Sequence, residues 1–139
     1  MGTITFTNHK TKVNIKNKLL LKSLIARVFA EEHVAFQSVS YIFCTDDFLL
    51  KLNQEYLKHD TLTDILTFTL SGSSLPVVSE IYISVERVLE NSSDLKIPFT
   101  TELNRVMIHG ILHLCGYNDH TPEEKKTMRK KEDYYLSFL

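Results

Sequence analysis

The chain has 139 residues, of which 43% are hydrophobic and 24% charged, with four glycines and three prolines. This composition excludes collagen-like and low-complexity chains and argues against disorder, and the length predicts one domain, residues 1–139, whose core needs no disulfide or metal staple. The formal net charge of −1 excludes a bulk electrostatic nucleic-acid binder, which requires a strong net positive field.

Charge is uneven along the chain. Residues 1–27 carry six basic groups and no acid, residues 28–124 are strongly acidic, and residues 125–139 are basic again. Basic faces at the two ends are therefore available to an anionic partner, although such runs are most often solvated helix faces. No apolar run approaches the roughly 18 residues of a membrane helix, so no membrane association by a spanning helix is expected. The N-terminus MGTITFTNHK alternates like a strand and lacks the apolar region of a signal peptide. Cys44 and Cys115 sit in apolar surroundings, which predicts reduced core thiols in a cytoplasmic protein.

Thr3 to Thr7 alternate as a short strand. Residues 17–34 read as an amphipathic helix, with Leu20, Leu21, Leu24, Ile25, Val28 and Phe29 at helical spacing. Gln37 to Thr45 is rich in strand formers. Thr45-Asp46-Asp47 is an N-cap signal for a helix over Phe48 to Leu57. The polar residues 58–64 read as a loop. Ile65 to Leu70 and Val77 to Ser84 read as paired strands around a turn at Ser71 to Ser74. A short helix is predicted over Val85 to Glu90. A longer one is predicted from Thr100 or Thr101 to Gly116, a natural residue for closing a helix. Thr121, Pro122 and Glu124 open the last helix with an N-cap, a proline at the first helical position and a capping box. The order β-α-β-α-β-β-α-α-α is no regular βαβ alternation. It predicts an α+β fold, a small mixed sheet of about four strands covered by helices.

The chemistry concentrates in HGILHLCGYNDH, residues 109–120. His109 and His113 stand one turn apart on one face of a helix that is otherwise apolar, close enough to hold one metal ion. Burying two unpaired imidazoles is costly, so a polar partner or a metal is expected. Gly116 stops the helix, and the chain can fold back to offer a third ligand, Asp119 or His120. The pattern resembles that of metzincin-type zinc hydrolases. However, Gly110 stands where a zincin protease carries its glutamate base, which argues against ordinary peptide hydrolysis. The bland alternative is a pair of structural histidines.

These residues resemble the signature HGxLHLxGYDH of the YbeY family of bacterial endoribonucleases. LNQEYLKHDTLTDILTF, residues 52–68, resembles the family block LNxxYRxxDxPTDVLSF. EIYIS, residues 80–84, resembles its GDIxIS strand, and Glu123, Glu124, Met128 and Glu132 fit its C-terminal helix. The resemblance spans roughly residues 40–135. It implies a cytoplasmic, zinc-dependent endonuclease of single-stranded RNA that acts in ribosomal RNA maturation, particularly at the 3′ end of the small-subunit RNA. It also implies one Zn2+ per chain at the bottom of a cleft, and ribosomal RNA, the ribosome or ribosome-assembly proteins as partners.

The chain departs from the family pattern at two places. The family's third histidine falls at Asp119 without a gap, and at His120 with a one-residue insertion. Zinc accepts either donor, but an insertion would disturb a tight turn, so Asp119 is the expected third ligand and His120 the alternative. The family's arginine after the tyrosine falls at Leu57. Lys58 or His59 is then the candidate for the substrate contact, although lysine offers a point charge and no bidentate fork.

Three protein ligands leave a fourth position for water or substrate. No catalytic residue is identified beyond the metal site. Lys58, Asp60 and Asp64 are candidates, with turn chemistry as the competing explanation for the aspartates. Glu102, two turns before His109, is expected to orient a ligand or pair with Arg105. Tyr117 is expected to close the turn rather than stack on a base. The readings that compete with a nuclease are a non-catalytic ribosome-assembly factor, in which a closed zinc site is structural, and a zinc hydrolase of a small molecule.

Overall fold

The computed structural model describes residues 2–57 and 63–139. Strands β1 (Thr3–Asn8), β2 (Phe36–Cys44), β3 (Ile65–Thr69) and β4 (Val77–Ser84) form one mixed sheet. Their order is β1-β2-β4-β3, with β1, β2 and β4 mutually parallel and β3 antiparallel to β4. Parallel neighbours need crossover connections. Helix α1 (Lys18–Glu31) supplies the one from β1 to β2. Helix α2 (Asp46–Leu52), a π-helical turn (Asn53–Leu57) and β3 lie between β2 and β4. Helices α3 (Val85–Leu95), α4 (Phe99–Leu114) and α5 (Pro122–Leu136) follow. This is the α+β arrangement the element order predicts.

Alternation sets the two faces of the sheet. Val39, Tyr41 and Phe43 of β2 and Ser79, Ile81 and Ile83 of β4 are buried. All but the serine join a core with Leu21, Leu24, Ile25, Val28 and Phe29 of α1 and the apolar side of α4. The opposite face carries a smaller cluster, in which Leu49 and Leu66 pack with Phe48, Leu52, Phe68 and Tyr82.

Helix α4 is central. Seven of its apolar or small residues are buried, from Leu103 to Leu112, because it packs on the sheet and on other helices at once. The Tyr41 hydroxyl donates to the Met107 carbonyl at 2.9 Å. Gly110 makes the close approach to the sheet. A Cβ there would stand 2.9 Å from Ile65 Cδ1 and 3.4 Å from Ile81 Cδ1.

The ends of α4 and α5 position the loop between them. Gly116 has φ 103°, which costs a glycine little. Its N–H donates to the His113 carbonyl and that of Tyr117 to the Leu112 carbonyl, both at 3.0 Å, the paired bonds of a Schellman motif. Thr121 accepts from the Glu124 N–H at 3.1 Å, and the Glu124 carboxylate accepts from the Thr121 N–H at 2.9 Å. The predicted capping box is thus formed in both directions.

Several bounds differ from expectation; α1 ends at Glu31 rather than at 34, with His33 in the left-handed region (φ 60°), and α4 ends at Leu114. Helix α2 starts at Asp46, with Thr45 capping the Phe48 N–H, and its last turn widens to π geometry. Helix α3 runs on to Leu95, where Lys96 closes it in the left-handed region. The polar Ser92 does not break it because its hydroxyl donates to the Leu89 carbonyl at 2.8 Å. Helix α4 begins at Phe99, with Pro98 at the N-cap position and no side-chain cap.

Candidate metal centre

His109 and His113 project from the last two turns of α4, and Asp119 reaches back from the loop that Gly116 turns. His109 Nε2 and His113 Nε2 face each other at 2.9 Å. Asp119 Oδ2 lies 3.3 Å from the first and 3.6 Å from the second. One ligand atom from each of the three residues lies within 4.8 Å of the others, so the group could hold a metal ion.

The donor set fits an ion by its own geometry. Tetrahedral ligands at about 2.0–2.2 Å from zinc stand about 3.3 Å apart, and the three separations here, 2.9, 3.3 and 3.6 Å, lie on either side of that value. The Nδ1 of His109 donates to Glu132 Oε2 at 2.6 Å. That bond places the ring proton on Nδ1 and turns the Nε2 lone pair towards His113 and Asp119. Two ring nitrogens and a carboxylate oxygen at this separation need a proton or a cation among them. A carboxylate that holds the far nitrogen of a ligating histidine is the usual support of a metal site.

Burial disfavours charge on the His109 ring, but Glu132, with Asp119 and Asp64 nearby, outweighs it and raises the ring's pKa. Burial, reinforced by the charge of His109, lowers that of His113.

A cleft of about 640 Å³ opens beside His109. Its walls include Asp64, Glu102, Arg105, Asp119 and Glu132, and Lys125, Lys126 and Arg129 lie along it on α5. Arg105 forks onto Glu132 at 2.9 Å and Asp133 at 2.8 Å, so it does not pair with Glu102. Glu102 is 7% exposed, and its Oε1 has no hydrogen-bond partner among the described residues. Burial raises its pKa, as does the charge of Asp64. Burial also raises that of Asp64 itself.

Among the residues singled out in the sequence, His109, His113 and Asp119 come together, and Asp64 lines the adjoining cleft. His120 is exposed and lies outside the three-residue group. Lys58, His59 and Asp60 lie outside the described residues, and Leu57 ends the π-helical turn. Tyr117 packs against the core, and its hydroxyl donates to Glu32 Oε1 at 2.6 Å, which suits a turn-closing role. In the sequence, Glu132 stands out only as part of the last helix, with no partner indicated. The available signal was its place on a buried stripe with Met128 and Tyr135, where a carboxylate is out of character.

The fold and site define an α+β protein with two helical histidines and a loop carboxylate arranged to hold a metal ion beside a charged cleft. The family model described as Endoribonuclease YbeY matches residues 3–139. The chain is 44% identical over 132 residues to the endoribonuclease YbeY of Flavobacterium psychrophilum, covering 95% of this chain and 94% of the relative. It is 45% identical over 122 residues to that of Amoebophilus asiaticus, covering 88% and 83%. The solution structure of TM1509 from Thermotoga maritima matches with a TM-score of 0.62 and 30% identity, covering 97% of this chain and 87% of the other. The chain belongs to the YbeY family.

Proposed function

We propose that this chain is a zinc-dependent endoribonuclease that cuts single-stranded RNA in the maturation of ribosomal RNA, the 3′ end of the small-subunit RNA included, and that it works in the cytoplasm as one domain. The observation that carries this reading is the convergence of His109, His113 and Asp119 beside a cleft, in a chain whose relatives bear the name endoribonuclease. No helix among the described residues is long and apolar enough to cross a membrane.

His109, His113 and Asp119 would hold the ion. Bound there, it would supply Lewis acidity towards a phosphoryl oxygen and acidify water. Glu132 keeps His109 in the ligating tautomer. Asp119 brings a negative charge where the family pattern has a neutral imidazole, which softens the electrophile. Asp64, on the cleft wall, is the candidate carrier of a proton to or from the reacting phosphodiester. The alternative, a non-catalytic assembly factor with a closed zinc site, is not favoured. His120, the residue that would close the site, is exposed, and its N–H is held by Glu124 at 3.2 Å.

The test is cleavage of a short single-stranded RNA by the metal-loaded protein and by His113→Ala, with metal content measured on both. The reading requires that cutting and metal are lost together in the variant. Undiminished cutting by a metal-free variant would overturn it.

A further inference from the structure

The basic residues of α5 divide between two faces of the helix. Lys130 and Lys131 lie beside Glu31 and Glu32 at the end of α1, and Lys131 Nζ binds Glu32 at 3.1 Å. Lys125, Lys126 and Arg129 lie along the metal cleft with His109 and Asp119. Positions 125 and 129, and 126 and 129, are neighbours at one-turn spacing, so these three form a continuous edge.

The cations of that edge are not consumed by the protein. Among the described residues neither Lys125 nor Lys126 has an ion pair. Among the described residues, the ion pair of Arg129 is the long one to Glu132, at 3.9 Å. Both oxygens of Glu132 are already engaged more closely, Oε1 by Arg105 at 2.9 Å and Oε2 by His109 at 2.6 Å. The remaining cation of the cleft, Arg105, is held by Glu132 and Asp133. Two exposed lysines with no ion pair among the described residues, and an exposed arginine held only by a long contact, thus border a metal group whose own walls are acidic. That placement keeps an anion off the carboxylates and brings it to the edge, and a planar guanidinium between two lysines suits phosphate oxygens.

We propose that Lys125, Lys126 and Arg129 form a phosphate-binding edge that holds the backbone of the RNA substrate alongside the metal group. This rests on the endoribonuclease reading. It also supplies, from α5, a guanidinium for a chain that has leucine at position 57.

The experiment compares metal-loaded wild type with the triple variant K125Q/K126Q/R129Q and with R129Q alone. The control is K12Q/K16Q/K18Q, which removes the same charge from an exposed segment at the other end of the chain. KM and kcat for a short single-stranded RNA are measured across a salt series, with metal content and thermal melting recorded for each protein. The triple variant should raise KM about tenfold or more at low salt while kcat changes less than about threefold. Its plot of log KM against log salt should be shallower by about 2, since each lost single-strand phosphate contact removes about 0.7. R129Q alone should show about a third of the slope change, and the control none. A triple variant with wild-type KM and slope, or a control that loses as much, overturns the proposal and leaves the nuclease reading standing. Should metal-loaded wild type fail to cut RNA, the nuclease reading itself fails, and anisotropy with the same labelled RNA then decides for the edge. Weakened binding by the triple variant upholds it, and equal binding rejects it.

Discussion

Glu132 Oε2 accepts a hydrogen bond from His109 Nδ1 at 2.6 Å, while Glu132 Oε1 takes the Arg105 guanidinium at 2.9 Å. One carboxylate, 4% exposed, therefore ties α5 to α4 and fixes which nitrogen of His109 faces the metal group. Replacing it by glutamine keeps the shape and removes the charge. Metal affinity of Glu132→Gln should fall about 10- to 100-fold, the usual consequence of losing such a supporting partner. Competition with a chelator measures this directly, and an affinity within about twofold of wild type would show that Glu132 does not orient His109.

Gly110 occupies the position next to the first histidine where a zincin protease keeps its base. Here that position presses on Ile65 and Ile81. An alanine should be tolerated with a small shift of the Ile65 side-chain tip. A glutamate would bury a carboxylate between helix and sheet without a partner, so Gly110→Glu should destabilise the fold by several kcal/mol or prevent folding. Urea denaturation of the two variants tests this, and a Gly110→Glu protein as stable as wild type would contradict the packing.

Glu32 offers a pH-dependent test away from the metal group. Burial works to raise its pKa, yet hydrogen bonds from Tyr117, Tyr135 and Lys131 outweigh it and hold the carboxyl below its ordinary value. A depressed folded-state pKa contributes stability above the unfolded-state value, about 4.3, and that stability is lost as pH falls through the folded-state value. Glu32→Gln should therefore cost about 1.5–3 kcal/mol at pH 7, the range for hydrogen bonds to a charged group. The gap to wild type should narrow as the pH drops below about 4. Urea midpoints at pH 7, 5 and 3.5 check this, and a gap that does not change with pH would contradict it.

Asp64 lines the cleft, and its backbone carbonyl accepts from the Ser84 N–H at 3.0 Å, so a side-chain substitution leaves that anchor intact. Asp64→Asn should lower kcat for RNA cleavage about a hundredfold, the scale of a lost proton carrier, with metal content unchanged. A variant with wild-type kcat removes Asp64 from the chemistry.

The sequence and the structure agree best where the physics is local. Thr121, Pro122 and Glu124 marked the start of α5, Gly116 marked the turn after α4, and apolar spacing marked α1. The four-residue separation of His109 and His113 was enough to put them on one face, and the fold brings Asp119 to them while leaving His120 exposed. What was not legible depends on distant partners. The strand order β1-β2-β4-β3 and the parallel pairing of β2 with β4 come from crossovers that no local pattern encodes. Glu132 lies 23 residues from His109, and nothing in α5 alone names the imidazole it holds. Arg105 and Glu102 looked like a pair on one helix face, but the better-placed carboxylates of α5 take the arginine. Helix α3 runs five residues past the expected Glu90, through Ser92 and Ser93, and the Ser92 hydroxyl bonds back to its own helix.

The most direct test of the account is elemental analysis of wild type, Asp119→Ala and His120→Ala, with single-stranded RNA cleavage assayed on the same preparations. The account predicts about one zinc per chain and cutting activity in wild type and His120→Ala, and the loss of both in Asp119→Ala. Loss of both in His120→Ala with Asp119→Ala unaffected would contradict it, as would a wild type that carries zinc and does not cut RNA.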